Sequence, residues 1–130
     1  WKYFDQGSLP AANWYTAAYS DAAWLLGKGQ FAYGDQDEET VISYGPDASS
    51  KFVTSYFRKT VLIDALELSN LDVMKAAINF DDGVVVYVNG TEVYRNNLPT
   101  TSINYNTLAT KNFPTENEFV EFTFDKGLLT

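Results

Sequence analysis

The stretch DDGVVVYVNGTEVYRNN, residues 81–97, contains the clearest structural signal in this chain. Asn89-Gly90 supplies the positive φ angles of a type I′ turn, which is the strongest short signal for a β-hairpin. The residues on both sides are rich in valine, threonine and tyrosine, which favour strands. The stretch therefore predicts two antiparallel strands, 84–88 and 91–95, joined by a two-residue turn.

A two-residue turn also predicts how these strands pair. Tyr87 is expected opposite Glu92, and the ladder is expected to run in regular steps: Val88–Thr91, Val86–Val93, Val85–Tyr94 and Val84–Arg95. One face then presents a valine row to the core: Val84, Val86, Val88 and Val93. The other face carries Val85, Tyr87, Glu92 and Tyr94. Its two tyrosines form either a surface covered by a loop or an aromatic platform for a sugar or a partner.

Strand patterns dominate the rest of the chain. Residues 52–63 and 119–124 alternate between apolar and polar side chains, and 71–80 has a weaker alternation. Helix signals are weak: Ser20-Asp21 is typical of a cap before one short turn through Trp24-Leu25. The sequence predicts a single all-β domain over residues 1–130, an antiparallel β-sandwich with long loops.

Composition excludes several functions. The chain contains no cysteine and no histidine, so thiol chemistry is absent and the usual neutral-pH proton shuttle is missing. A net charge of −8 disfavours nucleic acid as a partner and favours divalent cations. No apolar run approaches the ~20 residues of a transmembrane helix. No phosphate-binding loop, nucleophile elbow or metal-hydrolase ligand set is present, so the chain is not expected to be an enzyme.

Motifs spread over nearly the whole chain recur together in one family. They are WKYFDQG (1–7), YSDAAW (19–24), FAYGDQDEET (31–40), YFRKT (56–60), DDGVVVYVNGTEVYRNNLP (81–99) and YNTLA (105–109). This set resembles the galactose-binding-like jelly-roll domains of secreted bacterial multidomain proteins. The resemblance implies an antiparallel jelly-roll β-sandwich without catalytic activity, in an extracellular or cell-surface location. It does not imply one particular ligand.

The resemblance also concerns the end of the sequence. Family members usually continue past a segment such as FDKGLLT (124–130) with further strands, so a sandwich lacking its last C-terminal strands is expected. Three explanations are open. The sequence is part of a longer chain, the fold is trimmed, or a strand from a neighbouring subunit completes the sandwich.

Two acidic clusters are candidate calcium sites. Asp35, Asp37 and Glu38 lie in one polar loop, and Ca²⁺ takes 6–8 hard oxygen ligands from such loops. Their spacing differs from the EF-hand pattern, and a solvated acidic loop is the alternative. Asp81-Asp82, followed by Gly83, resembles the Asp-Asp-Gly of calcium-dependent lectin modules. The alternative there is that these aspartates cap their own turn.

Two functions follow from these observations. The first is a non-catalytic module of an extracellular bacterial protein that binds carbohydrate or another cell-surface polymer, with Tyr87, Tyr94 and Arg95 as ligand-binding residues. The second is a structural subunit of an extracellular filament or surface assembly. Its partners are then neighbouring copies of the chain, a neighbour's strand completes it, and calcium stabilises it.

Overall fold

The computed structural model describes residues 1–34, 36–111 and 118–129. Strands account for 27% of these described residues and helix for 7%, as expected for an all-β protein. Residue contacts divide the chain into two compact units: unit 1 comprises Trp1–Trp14, Ala18–Thr60 and Ile103–Thr107, and unit 2 comprises Tyr15–Ala17, Val61–Ser102 and Leu108–Thr130. The single domain over 1–130 stays a prediction.

Unit 1 is built from five short strands: β1 (Lys2–Phe4), β2 (Leu25–Leu26), β3 (Phe31–Ala32), β4 (Thr40–Val41) and β5 (Tyr56–Arg58). Strand β1 is central and runs antiparallel to both β2 and β5. Strands β3 and β4 form a separate parallel pair. The strand predicted over 52–63 is limited to β5. A short turn does follow Ser20-Asp21, closed by a hydrogen bond from the Trp24 N–H to the Asp21 carbonyl, but Leu25 belongs to β2.

Aromatic side chains form the interior of unit 1. The most buried apolar side chains of the described residues are Tyr3, Trp24, Ile42 and Tyr56. Trp14 packs edge-on against Tyr56, with ring centroids 4.8 Å apart, and stacks on Trp24 at 6.4 Å. Because aromatic rings bury a large apolar area, this cluster can hold together a unit with short strands.

Asp5 is the buried charged residue of this interior, with 4% of its surface exposed. Its Oδ2 accepts a hydrogen bond from the Ser43 backbone N–H at 2.7 Å, and its Oδ1 accepts one from Gln6 Nε2 at 3.0 Å. A buried carboxylate is tolerated when its oxygens are paired in this way. Asp5 therefore fixes the chain after β4 against the end of β1.

Asp5→Ala is expected to lower the free energy of unfolding by about 1–3 kcal/mol, because it leaves the Ser43 N–H without its acceptor. Urea unfolding followed by far-UV circular dichroism measures the change. Asp37→Ala removes an exposed carboxylate from the same unit and serves as the control. Equal effects of the two substitutions would contradict a structural role for Asp5.

Unit 2 pairs its strands in two antiparallel ladders. Strand β6 (Met74–Ile78) pairs with β9 (Val120–Phe124), and β7 (Val84–Val88) pairs with β8 (Thr91–Asn96). Strands β6 and β9 alternate between half-buried and exposed residues, which confirms the alternation predicted for both segments. A short helix, α1 (Ala65–Ser69), precedes β6, and the Asp64 side chain caps it by accepting from Leu66 N–H.

The hairpin of β7 and β8 has the predicted turn but not the predicted ladder. Asn89 and Gly90 adopt φ angles of 47° and 93°, as a type I′ turn requires. The pairs Val88–Thr91 and Tyr87–Glu92 are confirmed. Beyond them a β-bulge intervenes, so the remaining three predicted pairs are wrong. The observed pairs are Val86–Tyr94, Val85–Arg95 and Val84–Asn96.

Candidate ligand-binding face

The bulge in β8 decides which side chains share a face of the hairpin. Val93 is the extra residue, since Tyr87 pairs with Glu92 while Val86 pairs with Tyr94. A one-residue shift moves every later side chain to the opposite face. Arg95 therefore lies on the same face as Tyr87 and Glu92, and Tyr94 lies on the opposite face. We call the resulting surface, made of Val85, Tyr87, Glu92 and Arg95, the Tyr87 face.

Tyr94 lies on the other face and packs inside unit 2. Its ring stacks on Phe122 of β9, with centroids 4.4 Å apart and planes 9° from parallel. The Tyr94 hydroxyl accepts a hydrogen bond from Asn96 Nδ2 at 2.7 Å. The expected pairing of Tyr87 with Tyr94 on one platform is therefore wrong. The bulge places Tyr94 against β9 and away from Tyr87.

A different tyrosine stacks on Tyr87. The ring of Tyr15 lies 4.7 Å from that of Tyr87, with planes 27° apart. Both residues are half-buried, so part of each side chain faces solvent. Burial raises the pKa of the Tyr87 hydroxyl, and the Glu92 carboxylate raises it further. The hydroxyl therefore stays protonated at neutral pH.

Glu92 and Arg95 form a two-bond ion pair beside these rings. Arg95 Nε donates to Glu92 Oε1 at 2.8 Å, and Nη2 donates to Oε2 at 2.7 Å. Residues three apart in a regular strand point to opposite faces, so the bulge is what makes this pair geometrically accessible. Arg95 Nη1 also donates to the Pro99 carbonyl at 2.6 Å. Arg95 thereby ties the chain after β8 to the Tyr87 face.

This ion pair is expected to make stability depend on pH. The hydrogen bond from Arg95 holds the pKa of Glu92 below its ordinary value of 4.5. A carboxylate with a lowered folded-state pKa stabilises the fold above its unfolded pKa and loses that contribution as pH falls through the folded value. Because the Glu92 side chain is 35% exposed, we expect a contribution of only about 1 kcal/mol.

Glu92→Gln measures that contribution. Between pH 7 and pH 3, the wild-type chain should lose about 1 kcal/mol more unfolding free energy than the variant. Urea unfolding at both pH values provides the comparison. Glu121→Gln removes an exposed carboxylate from β9 and should leave the wild-type pH dependence unchanged. If Glu92→Gln also leaves it unchanged, the pair contributes nothing to stability.

The predicted acidic sites are distributed as follows. Asp35 lies outside the described residues, Asp37 is exposed and Glu38 is half-buried. Asp81 is exposed, Asp82 is half-buried, and the Asp82 carbonyl accepts from Asn97 Nδ2 at 3.0 Å. Within residues 1–34, 36–111 and 118–129, no group of three or more carboxylates is arranged to hold a metal. Calcium binding stays a prediction.

The structure thus keeps two predicted ligand-binding residues together and separates the third. Tyr87 and Arg95 share a face, whereas Tyr94 packs against Phe122. Tyr15 is the member that sequence reasoning missed, because it lies in a segment without a strand pattern. No helix in the described part of the chain is long and apolar enough to cross a bilayer.

Comparisons of the chain with protein-family models, with curated proteins and with solved structures find no significant match.

Proposed function

We propose that the chain is a non-catalytic module of an extracellular protein and that its Tyr87 face, together with Tyr15, binds carbohydrate. The observation that supports this proposal is that the ring of Tyr15 stacks on Tyr87, which shares one face of the β7–β8 hairpin with the Glu92–Arg95 ion pair. A pyranose ring has an apolar face of C–H groups and a rim of hydroxyls. Aromatic rings suit the first, and fixed charged donors and acceptors suit the second.

The proposal includes the fold. A galactose-binding-like jelly-roll sandwich is consistent with the strand-rich chain and with a hairpin whose Tyr94 packs on another strand pair. In such a sandwich one sheet face packs in the core and the other is available to solvent. The Tyr87 face is then the outer surface of the β7–β8 hairpin.

Affinity gel electrophoresis tests the proposal with the whole chain. The protein is run through gels containing individual soluble polysaccharides, and binding slows its migration relative to a polymer-free gel. We expect retardation by at least one polysaccharide, saturable with polymer concentration. Unchanged migration in every gel, confirmed by a glycan array without signal, would refute carbohydrate binding.

A second candidate function is that of a subunit in an extracellular assembly. Several large apolar side chains of the described residues are strongly exposed: Leu26 (76%), Val41 (68%), Leu62 (93%), Leu66 (71%) and Phe119 (71%). In the described part of the chain, strand β2 lies at the edge of its three-stranded sheet, and its residues Leu25 and Leu26 are both exposed. Open apolar edges favour association through added strands. Sedimentation velocity that shows only monomer over a wide concentration range would exclude self-assembly.

A further inference from the structure

We propose that the carbohydrate bound at the Tyr87 face is uncharged, and that the Glu92–Arg95 pair excludes polymers that carry carboxylate or phosphate groups. This inference rests on the proposed function and assigns a ligand class to the same face, uncharged polysaccharides. The Glu92–Arg95 pair makes the face polar, but it leaves Arg95 unable to bind an anionic group.

The hydrogen bonds of Arg95 are the first reason. Arginine binds a carboxylate or phosphate through two parallel N–H groups on one edge of the guanidinium. In Arg95 the edge formed by Nε and Nη2 already donates to both carboxylate oxygens of Glu92. Nη1 donates to the Pro99 carbonyl and lies 3.4 Å from that of Thr101. Neither edge therefore offers two free donors to an anionic sugar.

Electrostatic repulsion is the second reason. An anionic group that approaches Arg95 must compete with the Glu92 carboxylate and lie next to it. The chain as a whole also carries a net charge of −8, which repels polyanions at long range. Sugar hydroxyls meet neither obstacle, since they donate to a carboxylate or accept from a guanidinium without displacing the partner.

The first test compares two sets of polymers in affinity gels. Neutral glucan, galactan and mannan form one set, and polygalacturonate, alginate and a teichoic acid form the other. We expect retardation by a neutral polymer, with little change from about 0.05 M to about 0.5 M salt, because no ion pair with the ligand forms. Equal or stronger retardation by an anionic polymer would overturn this inference but leave carbohydrate binding intact. Retardation by no polymer would overturn the proposed function itself.

The second test is a gain of binding. Glu92→Gln keeps the side-chain shape but releases Arg95 from its carboxylate partner, so binding to polygalacturonate should tighten at least about fivefold. Glu121→Gln changes the net charge by the same amount on β9 and leaves Arg95 paired. Equal behaviour of the two variants would show that net charge alone sets the selectivity and would overturn the role of the pair. Circular dichroism checks both folds, and the wild-type polymer comparison decides the inference if either variant fails to fold.

Discussion

Trp24→Ala is expected to lower the free energy of unfolding by about 3–5 kcal/mol, the range for removing a large aromatic side chain from a core. Trp24 is only 7% exposed and contacts the rings of Phe4, Trp14 and Tyr19. Its indole Nε1 donates to the Tyr19 hydroxyl at 3.2 Å. Truncation therefore creates a cavity among the aromatic residues of unit 1 and removes a hydrogen bond. Urea unfolding followed by far-UV circular dichroism measures the loss.

Trp1→Ala is the matched control for this experiment. Trp1 is 50% exposed, so its replacement should cost less than about 1 kcal/mol. Both variants lose a tryptophan side chain, which is buried and hydrogen-bonded at position 24 and half exposed at position 1. A loss below about 1 kcal/mol for Trp24→Ala would contradict an aromatic interior in unit 1.

Tyr87→Ala is expected to weaken carbohydrate binding about tenfold or more. An aromatic stacking contact contributes about 0.5–1.5 kcal/mol beyond area burial, and tenfold corresponds to about 1.4 kcal/mol. The substitution removes the ring on which Tyr15 stacks, so it also disturbs the second aromatic surface of the face. Isothermal titration with the polysaccharide that retards the wild-type chain most strongly measures the change.

Two further variants separate stacking from other effects of this substitution. Tyr87→Phe keeps the ring and should retain most of the affinity if stacking dominates. Tyr44→Ala removes a 38% exposed tyrosine that packs against Tyr33 in unit 1, and it should bind as the wild type does. If Tyr44→Ala loses binding and Tyr87→Ala keeps it, the ligand site lies elsewhere.

The local part of the hairpin could be predicted from sequence, and the non-local part could not. Asn89-Gly90 dictates its own backbone angles, so the turn and the two nearest strand pairs follow from a few residues. The bulge at Val93 accompanies a contact between distant segments, since it lets Tyr94 stack on Phe122 of β9. It also lets Arg95 reach Glu92 within β8. The residues of β8 do not by themselves reveal the contact with Phe122, so their pattern predicts a regular ladder.

The candidate site also has a local part that the sequence predicts and a non-local part that it does not. Strand alternation is encoded residue by residue, which is why β6 and β9 were predictable. Tyr87 and Arg95 could be nominated because they lie in the hairpin, but which face they occupy depends on the bulge. Tyr15 could not be nominated, since its contact with Tyr87 joins segments far apart in the chain.

The bulge places Arg95 on the same face as Tyr87 and Glu92, and we propose that these three residues and Tyr15 bind carbohydrate together. NMR titration of the isotope-labelled chain with short oligosaccharides of the best neutral polymer tests this proposal. Shift changes are expected on the side chains of these four residues, with Tyr94 and Phe122 on the opposite face unaffected. Changes centred on any other surface, or saturation with the ligand without changes at Tyr87, would show that the binding face lies elsewhere.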